Sequence, residues 1–387
     1  DPEQDPPGLV SEGIDHPGLL LLAWPRPVHV AAAVKDFFPI EGTRKTVREV
    51  AALYRRFGMG DRLAMTEGYH DHQYSAENQA AAFAFLDRWA GRPARAGLDT
   101  VATLPAEALR STPSGQVRVD LPGRSLQEVI RELYQERRGR QTVDLRALHG
   151  ATGEAARTWP IVPFAGAAAP GRITWEKTGT STLGRTIIDR YALRHGSFLL
   201  PLVHIHTSRG APSGRAVLRV ALPGKIGPGD WAEVEADLRR GDEVVSFDPR
   251  GLGETRLRYK AESIDDKELA PADEEAAYLS PLSGVLANYV YNALLTGRPY
   301  LLDILEDAHI AVRFSRERLG ARAVQVAGKG DAHLLAWSIA SVVPGVDLQP
   351  GDAAGTAFTW ADAVEGMRET WPIQYLLPGG AYVRMKP

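Results

Sequence analysis

A chain of 387 residues with 44% hydrophobic and 24% charged side chains is long enough for two globular domains. Its formal net charge of −3, with arginine scattered among acids, argues against a general binder of nucleic acid or of acidic membrane surfaces. No cysteine occurs, which excludes disulfides, thiolate metal centres and cysteine nucleophiles together, and no apolar run reaches transmembrane length.

In chain order, residues 1–17 read as a loose Pro/Gly/Asp-rich lead-in. Because the first residue is Asp1 rather than Met, a processed, trimmed or partial product is expected, with any targeting segment upstream. Arg26 to Val34 (RPVHVAAAV) has the length and apolarity of a strand. An amphipathic helix is predicted next, with Thr43 as N-cap, Val47, Val50, Ala51 and Tyr54 on one face, and Gly58 as its stop. DRLAMTEG reads as a second short strand, and SAENQAAAFAFLDRWAG as a helix capped by Ser75. The order is strand, acidic loop, helix, strand, histidine loop, helix, which favours a parallel sheet covered by helices.

Residues 91–124 have the composition of a linker, and Ser125 to Arg138 that of another amphipathic helix. From Gly171 to Leu222 the pattern changes to consecutive strands separated by Gly or Pro turns. A helix (DWAEVEADLRRG), a strand (DEVVSFDPRG) and a loop of mixed charge follow. Then come a long helix interrupted at Pro299, the strand ARAVQVAG and the helix HLLAWSIASVV. The domains expected are 1–92, a linker and helical segment at 93–170, and a second α/β region at 171–387.

The segment EGYHDHQYS, Glu67 to Ser75, places His70 and His72 just after a strand, and Asp36 follows the strand before it. Ligands and catalytic groups gather at the carboxyl edge of open α/β sheets. A carboxylate paired to imidazole fixes the ring tautomer and stabilises the imidazolium formed when a serine is deprotonated. A solvated polar loop is the plainer reading of the same residues. His204 and His206 repeat the His-x-His spacing, which points both rings to one face of a strand. They stand in an apolar strand, where core histidines with satisfied hydrogen bonds are expected rather than metal ligands. Gly328-Lys329-Gly330-Asp331-Ala332 has the form of a nucleophile elbow with glycine where serine belongs. Read instead as a dinucleotide fingerprint, it has His333 where a third glycine is wanted. FDPRGLGET, Phe247 to Thr255, reads either as a tight turn with Asp248 and Arg250 pairing locally or as a pocket lining.

Three of these stretches together resemble α/β-hydrolases of the acetyl xylan esterase and dienelactone hydrolase type. PRPVHVAAAVKDFFPIEG and EGYHDHQYSAENQ are similar to the family's acid and base segments, D-x-F-P-x-x-G and H-x-Y-S. The resemblance implies that Asp36 is the triad acid and His72 the base, with His70 a neighbour. The stretches from YALRHGSFLLPLVHIHTS to VQVAGKGDAHLLAW resemble the early strands and helices of the same fold, as in the degenerate second domain of tandem secreted esterases. The fold expected is therefore α/β, a mostly parallel sheet flanked by helices, in two such regions.

No Gly-x-Ser-x-Gly occurs in the sequence, and Ser11, the one serine before Asp36, has no elbow context. The nucleophile is thus expected from outside these residues, an upstream companion chain being one source. A permuted single hydrolase, with Gly330 in place of the nucleophile, is another arrangement. The function implied is ester hydrolysis on a decorated polysaccharide or similar acylated substrate, secreted or periplasmic, with no cofactor, metal, nucleic acid or membrane. A non-catalytic pseudo-hydrolase subunit is the alternative, and a prolyl-oligopeptidase-like peptidase a weaker one.

Overall fold

The computed structural model describes residues 5–6, 8–36, 38, 40–93, 102–138, 173–195, 198–208, 212–222, 224–256, 285–296, 300–330 and 332–350. The chain divides into two compact units, one of residues 1–123 with 259–278, the other of 124–258 with 279–387.

The first unit is a short helix α1 (His16–Leu21) followed by β1 (Val28–Ala33), α2 (Ile40–Arg56), β2 (Leu63–Gly68), α3 (Ala76–Trp89) and a one-turn α4 (Val117–Asp120). β1 and β2 pair in parallel, from Val28 opposite Leu63 to Ala33 opposite Gly68. A parallel pair needs a crossover, and α2 supplies it. α2 buries Val50 and Tyr54, and the Tyr54 hydroxyl donates to Arg26 O at 2.9 Å, so the aromatic body packs while its polar end is satisfied. The predicted N-cap Thr43 lies inside α2, because the helix begins three residues earlier at Ile40. Its end is as expected. Gly58 takes φ +71°, and Met59 N–H reaches back to Tyr54 O at 2.8 Å, closing the last turn through a left-handed residue. Ser75 caps α3, its hydroxyl accepting from Asn78 N–H at 3.2 Å.

The second unit opens with α5 (Leu126–Arg138), whose Ser125 and Glu128 form a reciprocal capping box. β3 (Thr174–Leu183), β4 (Thr186–His195) and β5 (Phe198–Thr207) make an antiparallel meander. Next come β6 (Arg215–Val220), α6 (Trp231–Arg239), β7 (Glu243–Phe247), α7 (Val285–Leu295), α8 (Tyr300–Glu317), β8 (Ala323–Gly328), α9 (Ala332–Val342) and β9 (Val346–Leu348). The break predicted at Pro299 falls at 297–299, outside the described residues, between α7 and α8.

These strands form one seven-stranded sheet in the order β3-β4-β5-β7-β6-β8-β9. β6 pairs in parallel with β7 and β8, and β8 with β9; β5 runs against β7, and β4 against β5. Five strands therefore share one direction and only β3 and β5 run counter to it, the mostly parallel α/β sheet that the sequence led us to expect. Helices cover both faces. Val234 and Leu238 of α6 pack on Ile205 and Val244. Phe314 of α8 meets Trp175 and Tyr191 edge-on, and register places those two on the opposite face. Burial on both faces is why β6 and β7 are buried at every position but the first. Among the described residues, no helix is long and apolar enough to cross a membrane.

Candidate active site

Two backbone hydrogen bonds carry the β1–β2 pairing past the strands themselves, Val34 N–H to Gly68 O at 2.8 Å and Lys35 N–H to His70 O at 3.0 Å. They hold the two following loops side by side at the carboxyl ends of the strands. Asp36 and His72, 36 residues apart, meet there: His72 Nδ1 lies 2.8 Å from Asp36 Oδ2. Asp36 Oδ1 accepts from Phe38 N–H at 3.1 Å, so each carboxylate oxygen has a fixed donor. The Phe38 ring stands edge-on to the imidazole at 6.2 Å. Asp36 is 16% exposed and His72 60%. A carboxylate is thus held inside the loop while the ring it orients faces outward. Donation from Nδ1 to the carboxylate leaves the lone pair on Nε2, the tautomer of a general base.

His70 has a different setting. Its Nδ1 bonds to Asp71 O at 2.8 Å and its Nε2 lies 3.3 Å from the Asn78 amide. Asn78, buried at the start of α3, also reaches Ala32 O. His70 therefore ties the loop to α3 and β1, the role of a neighbour. Glu67, the last side chain before the loop, is clamped by Arg44 of α2, whose Nε and Nη2 donate to it at 2.9 and 2.5 Å. That hydrogen bonding holds the Glu67 carboxyl below the usual range.

In the second unit, β8 ends at Gly328 and α9 begins at Ala332. A Cβ on Gly328 would lie 2.3 Å from Ala332 O, so the helix approaches the strand over a residue that has to be glycine. Gly330 takes φ +57° with open space around the missing Cβ. Gly330 thus takes a left-handed conformation just before a helix that packs close against the strand end. His333, where a dinucleotide fingerprint would need its third glycine, is buried in the first turn of α9.

The predicted local pairing of Asp248 with Arg250 is not what forms. Asp248, buried, binds Lys225 through both its backbone N–H and its ammonium group, and accepts from Glu254 N–H at 3.0 Å. Arg250 turns instead to α8, donating to Asp307 at 2.7 Å and Glu306 at 2.9 Å, with Asp303 at 3.5 Å. Burial drives the Asp307 carboxyl up, and Arg250 opposes that shift. The loop's charges are spent on folding the turn and docking it to a helix.

No protein-family model matches the chain, and no curated protein does. Solved structures similar to it include a cold-adapted esterase from an Arctic intertidal metagenomic library, at 14% identity and TM-score 0.32 over 45% of this chain and 62% of that one. An acetyl xylan esterase from a Paenibacillus species matches at 14% identity and TM-score 0.34, over 62% of this chain and 75% of that one. Acetyl xylan esterase 1 from a Thermoanaerobacterium species matches at 13% and 0.30, over 58% and 62%. The chain thus spans less than two thirds of the first and third of these proteins. Likeness at this level assigns neither a family nor an activity.

Proposed function

We propose that this chain carries the acid and the base of a serine-type ester hydrolase, acting with a serine supplied from outside its 387 residues. The observation that supports this reading is the hydrogen bond from His72 Nδ1 to Asp36 Oδ2 at the carboxyl ends of two parallel strands. In this mechanism His72 Nε2 takes the proton from the serine hydroxyl as its oxygen attacks the acyl carbon. Asp36 stabilises the imidazolium, which then gives the proton to the departing alcohol. A water, deprotonated by the same nitrogen, releases the acid and restores the serine. An acylated polysaccharide is the proposed substrate class, carried by the resemblance of the two loops to acetyl xylan esterases.

The test is turnover of a chromogenic acetate ester by the chain alone and with a companion segment carrying a serine elbow added, each with a serine-directed phosphonate. Turnover that needs the added segment and falls by about 10³-fold or more in His72→Gln supports the proposal. Turnover by the chain alone, with the phosphonate attached to it, overturns the external serine.

A second reading is a non-catalytic pseudo-hydrolase, and a specific observation favours it: glycine occupies the centre of the elbow at Gly330. Inertness under both conditions, with the added segment shown to bind, selects that reading.

A further inference from the structure

One histidine of the β5 pair, His204, does not have the satisfied surroundings expected of a core histidine. His204 is 5% exposed, and its Nε2 makes no hydrogen bond. The alternation of β5 puts His204 and His206 on one face, where their rings stack at 4.5 Å and 15°. β4 brings Asp189 directly opposite His204. Ligand atoms of Asp189, His204 and His206 all lie within 4.8 Å of one another. Glu243 of β7 lies two residues before Val245, the strand partner of His204.

We propose that Asp189, His204 and His206 form a binding site for a divalent first-row metal ion, zinc by the nature of its donors. For metal–ligand bonds of about 2.1 Å, a tetrahedron has ligand-to-ligand edges of about 3.4 Å. His206 Nε2 stands 3.4 Å from Asp189 Oδ2, the length of such an edge. Two imidazoles and a carboxylate are a donor set that zinc accepts, with a fourth position left for water.

The surroundings orient the ligands. Lys177 and Thr180 of β3 both donate to Asp189 Oδ1 at 2.7 Å, fixing the carboxylate so that Oδ2 faces His206. The His206 side chain is 25% exposed, which gives an ion a path from solvent. Glu243 is the first residue of β7, so this centre sits at the amino edge of the sheet, the opposite edge from the β8–α9 elbow. The ion would join β4 and β5 and leave the carboxyl edge to other chemistry.

The test uses the full chain, stripped with a chelator and reloaded with zinc or cobalt(II). One ion per chain is expected after desalting, with the intense visible bands of four-coordinate cobalt and a rise in melting temperature of about 5 °C at saturating zinc. Asp189→Asn and His206→Gln, checked for folding by circular dichroism, are expected to weaken zinc binding by about 100-fold or more. His206→Gln alters a part-exposed side chain and so keeps the test open if Asp189→Asn unfolds. His70→Gln/His72→Gln, which removes the other histidine pair, is expected to bind as the parent does. Absence of stoichiometric uptake, or uptake lost only with His70 and His72, overturns the proposal. Neither outcome bears on ester hydrolysis.

Discussion

A Cβ on Gly68 would lie 2.3 Å from His70 Nε2, so β2 ends on glycine because the next loop folds an imidazole back over the strand. Gly68→Ala is expected to push His70 off Asn78 and unsettle the loop that holds His72. The expected cost is about 1–3 kcal/mol, read by denaturant unfolding, with weakened protection of the His72 ring proton in NMR spectra. Gly42, inside α2 with open space around its missing Cβ, is the internal contrast. Gly42→Ala should stabilise by about 0.5–1 kcal/mol.

The elbow gives a second pair. Gly328→Ala sets a methyl against the Ala332 carbonyl, a backbone atom that cannot step aside, and should cost about 3 kcal/mol or more. Gly330→Ala meets no atom and pays only for φ +57°, about 1–2 kcal/mol. Equal losses in thermal melts would show that helix approach is not what shapes this turn.

Arg250 faces three carboxylates on α8, each 14% exposed or less. Arg250→Ala would remove the cation these three carboxylates share, at a cost of about 3–5 kcal/mol. Arg250→Lys restores one charge but not the planar fork that bridges Asp307 and Glu306, so we expect less than half of the loss to be recovered in urea unfolding.

Asp242 supplies a pH dependence. Burial raises its carboxyl pKa, yet the hydrogen bonds from Arg215, Ser213 and Arg240 outweigh it and leave the pKa below normal. An acid whose folded pKa is depressed stabilises the fold above its unfolded pKa, about 3.9, and that stability is lost as pH falls through the folded value. Asp242→Asn should therefore lower the melting temperature near neutrality, by an amount equivalent to about 2–3 kcal/mol, and flatten its fall below about pH 4. A parent and variant with parallel acid limbs would contradict this assignment.

The parts legible in the sequence were those that short stretches settle. Ser75 announced α3, Gly58 the end of α2, and the strand-length apolar runs became β1, β2 and β6 to β8. Asp36 and His72 were legible as a pair because each follows a strand of one β-α-β unit, and strand ends of such units lie together. Thr43 misled, since a good capping residue also sits comfortably inside a helix whose start is decided elsewhere. Arg250 was left open in the sequence, between a local pair with Asp248 and a pocket lining, and the ion pair that forms spans 57 positions to Asp307.

By itself the sequence determined the alternation of strands and helices, the apolar faces they bury, and the absence of a serine elbow, because periodicity, caps and composition act over a few residues. Only the tertiary structure decided the insertion of β7 between β5 and β6, the docking of Arg250 on α8, and the meeting of Asp189 with His204 and His206. Those depend on which strands lie side by side. Sheet order is fixed by packing against helices on both faces, a choice the whole fold makes and no single stretch encodes.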